Sequence, residues 1–202
     1  MPNWATGTLK IRGTREDILD FCKKELNERA GWYRHDQSEQ SKIVEWGMDL
    51  ANSDYDSGDL IATVYEEPNL CIWIRESCRN FIDMDTEVPY YWDMDASGDK
   101  EKYETTFCFY KLSGDNDYCV VFPFKAAWGV DEYYYADLSK DYKLAFKIYT
   151  VEQGMGFFSE FEAKDGKVTM LASGPSIGPE REKIGQSYGR FVWECPFPFL
   201  GG

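Results

Sequence analysis

The 202-residue sequence contains one histidine, His35, and no Cys-x-x-Cys pair. A zinc site needs three or four converging thiolate or imidazole ligands. The six cysteines, Cys22, Cys71, Cys78, Cys108, Cys119 and Cys195, form no such cluster, so no metal or other cofactor is expected. No apolar run is long enough to cross a bilayer, and the opening MPNWATGTLKIRG lacks a signal-peptide core. With reduced thiols, this reads as a cytoplasmic protein. Positive charge is also scarce: 22 Lys and Arg stand against 36 Asp and Glu, a net charge of −14. That balance excludes a general nucleic-acid binder, which needs a basic stripe to displace counterions, and argues against docking on anionic lipid. Aromatic residues are plentiful, with 7 Trp, 14 Tyr and 13 Phe. They are enough for a substantial core in a single domain.

Periodicity supplies the elements. Thr6 to Ile11 alternates as a first strand. Thr14 then caps a helix whose stripe is Ile18, Phe21, Cys22 and Leu26, with its end expected near Ala30-Gly31. Short strands are expected at Lys42–Trp46, Leu60–Tyr65 and Leu70–Arg75, and a helical turn at Arg79–Ile82. Thr105–Leu112 and Tyr118–Phe124 read as a hairpin. Val130, Tyr134 and Leu138 recur at helical spacing, and Leu144 to Val151 returns to strand. Gly154 and Gly156 allow a turn, Phe157 and Phe161 begin another strand, and Asp165-Gly166 is a hairpin signal before Lys167–Ala172. Gly174-Pro175 marks a loop, and Arg190–Cys195 adds an edge strand. The expected fold is α+β: a ferredoxin-like split βαβ sandwich with a mostly antiparallel sheet, two main helices and inserted hairpins. Residues 1–172 form the domain, with an acidic insertion around 43–104, and 173–202 form an extension packed on it.

Several stretches together carry a resemblance: MPNW followed by GTLKIRG, LCIWIRESCRNFID, FKAAW at 124–128, EQGMGF at 152–157 and WECPFPFLGG. As a set they resemble the ferredoxin-like proteins borne by phages and mobile elements of Gram-positive bacteria, related to the plasmid YubB-type ferredoxin-like family. The resemblance implies a fold without an iron–sulfur cluster, and the cysteines lack cluster-ligand spacing. It implies an accessory gene of a mobile element acting inside a bacterial host cell, and it transfers no catalytic residue.

Motifs for chemistry are few. Asp93-Met-Asp95-Ala-Ser97-Gly98-Asp99 through Glu104 matches the oxygen-ligand positions of an EF-hand calcium loop. Lys100 occupies its usual aliphatic position, and the flanks do not read as two helices. Asp83/Asp85 and Glu66/Glu67 are paired carboxylates with no sign of burial, and His35 lies in a polar run. Gly154-Met155-Gly156 leads into a strand, not the helix of a dinucleotide site. No catalytic motif emerges, and a non-enzymatic role is expected.

The charge pattern is more informative. From Ile43 to Ile74 there is no Lys or Arg, whereas Glu45, Asp49, Asp54, Asp56, Asp59, Glu66 and Glu67 all occur. Tyr and Trp are interleaved through this stretch and through Asp83–Glu104. Carboxylates held along a rigid, aromatic-braced surface imitate a row of phosphates. With the mobile-element context, the expected function is an accessory inhibitor of host defence, anti-CRISPR-like or a nucleic-acid mimic. Its partner is a basic nucleic-acid-binding host protein, contacted by Asp54, Asp56, Asp59, Asp83, Asp85, Asp93, Asp95 and Asp99. One alternative is an assembly factor using Tyr133 to Tyr135 with Phe157 and Phe158. Another is an enzyme or calcium-binding protein.

Overall fold

The computed structural model describes residues 4–28, 43–49, 57–64, 71–75, 80–83, 90–94, 101–112, 116–127, 129–152, 154–175 and 193. Strand β1 (Trp4–Gly13) leads into α1 (Arg15–Glu25). Thr14 caps that helix: its hydroxyl accepts from the Asp17 amide at 3.2 Å and donates to the Asp17 carboxylate at 2.7 Å. Asp17 thus serves where a capping box normally places Glu. Glu16 and Asp17 lie at the positive end of the helix dipole, Lys23 and Lys24 at the negative end. Ile18, Phe21 and Cys22 are buried as the stripe requires.

The helix is shorter than its sequence period. It stops at Glu25, and Leu26 turns to extended geometry to begin β2 (Leu26–Glu28), where it stands opposite Ile74. Leu26 still reaches the core, but through strand pairing, so tertiary contact overrides local propensity.

The following strands are β3 (Ile43–Asp49), β4 (Ser57–Val64), β5 (Cys71–Ile74) and β6 (Asn80–Asp83). Then come β7 (Tyr90–Met94), β8 (Glu101–Lys111) and β9 (Tyr118–Ala127). The helical turn expected at Arg79–Ile82 is instead β6, because its backbone pairs with β5 on one side and β9 on the other. Helix α2 (Glu132–Asp141) is capped by Asp131, whose carboxylate accepts from the Tyr133 and Tyr134 amides at 3.1 and 3.4 Å. The last strands are β10 (Ala145–Glu152), β11 (Phe157–Lys164) and β12 (Lys167–Pro175). Asp165 and Gly166 form the two-residue turn with φ of 51° and 78°, the left-handed pair that a tight hairpin demands. Gly174 and Pro175, expected in a loop, extend β12; proline is tolerated there because an edge strand has a side with no ladder. Position 172 therefore lies inside a strand.

All described pairings are antiparallel, and the sheet has 12 strands. One run goes β12-β11-β10-β1-β9 and continues through β6-β5-β2. A second branch leaves β9 through β8, which also pairs β4 and β7, and β4 carries β3. The fold is thus α+β, with β1 lying between β9 and β10 while α2 connects those two strands. Both helices cover one face: Phe21 of α1 and Tyr135 of α2 each pack on Phe146, at 5.3 and 5.7 Å between ring centroids. Leu9, Ile11, Phe122, Phe124, Ile148 and Phe161 complete this core, and Phe107 extends it to Trp46 of β3.

Candidate functional site

The sheet face away from the helices divides into a centre and a margin. At the centre, Lys10 and Arg12 alternate with core residues Leu9 and Ile11. Lys10 is 1% exposed, and its ammonium donates to the Trp193 carbonyl at 3.4 Å. Arg12 binds Asp117 with both ends of its fork, Nε to Oδ1 at 3.0 Å and Nη2 to Oδ2 at 2.7 Å, while its guanidinium lies 5.9 Å from the centre of the Trp193 ring. The hydrogen bond to Asp117 holds the Arg12 pKa above its ordinary value, against the opposing effect of burial. Lys147 is also buried, 3.6 Å from Glu160 on the neighbouring strand. Trp193 closes a small apolar cluster here with Cys119, Val121 and Ala145. Burial pushes the Cys119 thiol up to about 12, so it stays neutral beside these cations.

The margin is built from β3, β4, β8 and β7. Along β3, buried Trp46 and Met48 alternate with exposed Glu45 and Asp49; along β4, exposed Asp59 precedes buried Leu60. The antiparallel register sets Asp49 directly opposite Asp59, and Asp59 opposite Cys108 of β8. Like charges directly opposite one another destabilise a sheet. Among the described residues, neither Asp49 nor Asp59 has a cation within ion-pair distance. The Asp59 charge reaches the next strand: burial first, and then Asp59, raises the Cys108 thiol pKa.

The expected contacts are placed as follows. Asp59 is in β4, Asp93 in β7, and Asp83 ends β6. Asp59 and Asp93 share the branch that runs through β8, whereas Asp83 stands opposite Cys71 on the other branch. Asp93 stands opposite Lys102, and Glu104 opposite Thr63 on one side and Tyr91 on the other. Asp54, Asp56, Asp85, Asp95, Ser97 and Asp99 lie outside the described residues. The loop with calcium-ligand spacing is flanked by β7 and β8, which pair with one another, where an EF-hand has two helices. Asp49 was absent from the expected contacts although it completes the row with Asp59. Its signal was the period-two pattern Glu45, Gly47, Asp49 alternating with Trp46 and Met48.

The aromatic surface divides too. Tyr133 is 71% exposed, but Tyr135 is fully buried and its hydroxyl accepts from the Asn80 amide at 3.4 Å. Phe157 and Phe158 are half-buried in β11, with Phe158 stacked on Tyr149 at 6.0 Å. Among the described residues, no three His, Cys, Asp or Glu side chains converge as a metal site, and no helix is long and apolar enough to cross a membrane. No protein-family model, curated protein or solved structure matches this chain, and the site is therefore defined by its own geometry.

Proposed function

We propose that this chain is a non-enzymatic accessory protein of a phage or mobile element. Its acidic strand margin binds a basic, nucleic-acid-handling protein of a bacterial host and blocks nucleic-acid access, as an anti-CRISPR-like or nucleic-acid-mimicking inhibitor does. The supporting observation is the facing pair Asp49 and Asp59, exposed on paired strands and left without a cation among the described residues. A surface selected only for stability gains nothing from that pairing. A row of carboxylates on hydrogen-bonded strands is stiff, so its charges are ordered before a partner arrives, which lowers the entropic cost of binding.

The scaffold we propose is a ferredoxin-like core of β1, α1, β8, β9, α2 and β10, enlarged by β2–β7 between α1 and β8. Supporting it are the order β10-β1-β9-β8 and the helices on one face. The resemblance of the MPNW, FKAAW and EQGMGF segments to mobile-element ferredoxin-like proteins supports the genomic context.

The test is capture from bacterial lysate on the immobilised chain. Nucleic-acid-binding proteins are expected at low salt, displaced by added duplex DNA and lost with Asp49→Lys/Asp59→Lys. Capture that ignores both the DNA and the charge reversal would sink the reading.

A further inference from the structure

We infer that two copies of this chain join edge to edge through β12, antiparallel and centred on Leu171. β12 ends the sheet and, among the described residues, pairs only with β11. An edge strand offers a free row of backbone donors and acceptors, which proteins usually guard with charge, bulges or brevity. The other edges have such guards. β2 is 3 residues long and ends in Glu28, β3 carries Glu45 and Asp49, and β7 carries Asp93. In a chain of net charge −14, acidic edges repel their own copies.

β12 is different. Its only charged residue is Lys167 at the start, and the register irregularity opposite Glu162 and Ala163 is confined to the same end. From Met170 to Gly174 the strand has no charge, bulge or proline. This uncharged edge is where a second acidic copy meets the least repulsion.

The sequence of β12 is also complementary to itself. With Leu171 opposite the partner's Leu171, Met170 meets the partner's Ala172, and the irregularity at Thr169 bounds this regular stretch of self-pairing. Apolar residues meet apolar or small ones, pairings that stabilise antiparallel ladders. Leu171 is 60% exposed although its neighbour across the ladder, Phe161, is 1% exposed. A second copy in this register covers that leucine. The twofold axis keeps both sets of helices on the same side of a continuous sheet. The acidic β3 lies at the far end of another branch and stays free in each copy. Pairing through β12 is therefore independent of the acidic margin.

Sedimentation of the full chain from low micromolar to sub-millimolar concentration tests this. We expect a dimer that added salt does not weaken, because salt screens the repulsion between two acidic copies, and that Leu171→Lys converts to monomer without lowering the melting temperature. In a Cys108→Ser background, Leu171→Cys is expected to give a disulfide-linked dimer under mild oxidation faster than its parent, because facing residues of an antiparallel pair lie about 4.5–5.5 Å apart, within disulfide range. A monomer over the whole concentration range, a dimer that survives Leu171→Lys, or no accelerated cross-linking would each overturn the inference.

Discussion

The centre and the margin of the sheet face opposite α1 and α2 treat charge in opposite ways. At the centre, Lys10 and Lys147 are buried, Arg12 is part-exposed, and each has an acceptor: the Trp193 carbonyl for Lys10, Asp117 for Arg12 and Glu160 for Lys147. At the margin, Asp49 and Asp59 are turned outward and face one another. Burial raises the cost of an unpaired charge steeply, so Lys10 and Lys147 depend on their acceptors to be buried, while part-exposed Arg12 depends on Asp117 less. Water screens the marginal acids, so folding tolerates them at a small cost but gains nothing from them. The centre is organised by stability, and the margin is open to selection for binding.

The comparison is sharpest where the centre is uncovered. Trp193→Ala removes the ring over Arg12 and the cover of Cys119 and Val121. It is expected to cost about 3–5 kcal/mol, the range for large aromatics truncated in cores, measured by urea denaturation. A loss no larger than that of an exposed-site control would mean that Trp193 does not close the centre.

Alkaline pH probes the same region. Burial holds the Cys119 thiol up to about 12 in the folded chain, above its ordinary 9.0. Between those values the unfolded chain loses a proton that the folded chain keeps. Stability is therefore fully present below pH 9.0 and falls as pH rises toward about 12. Each such thiol contributes a slope of about 1.4 kcal/mol per pH unit. Cys119→Ala is expected to flatten the decline in denaturation midpoints over this window, and an unchanged slope would contradict the placement.

Smaller still is Asp117→Ala, which leaves Arg12 half-exposed without its partner. Charged hydrogen bonds contribute more than neutral ones, but solvent screening at this site reduces the expected loss to about 1 kcal/mol. At the margin the sign reverses. Asp59→Asn removes a like-charge contact and is expected to raise stability by a few tenths of a kcal/mol, visible as a higher melting temperature at low salt and a smaller gain at high salt. A destabilised Asp59→Asn would mean that the carboxylate has a structural partner.

Much of the scaffold was legible because its signals are local. Thr14 announced a helix start, Asp165-Gly166 a hairpin, and the alternation through Phe122 and Phe146 buried strands. The errors fell where pairing across the sheet overrode local preference. Leu26 fits a helical stripe but is claimed by β5, and Asn80-Phe81-Ile82 fits a turn but fills the gap between β5 and β9. Tyr135 lay one residue from the expected stripe of Tyr134 and Leu138 and proved to be its most buried ring. The site was less legible. Counting acids by sequence identified Asp59, but the residue it faces depends on the β3–β4 register, which composition does not encode. The division of acids between two branches likewise follows from the sheet splitting at β9.

The central claim is that marginal acids bind a basic partner, and the most direct measurement is the affinity of the captured partner for the wild type and for Asp49→Lys/Asp59→Lys across a salt series. The account predicts that wild-type affinity falls steeply with salt, and that charge reversal at low salt weakens binding by roughly tenfold or more, about 1.4 kcal/mol. Equal affinity for the two proteins throughout the series would contradict it.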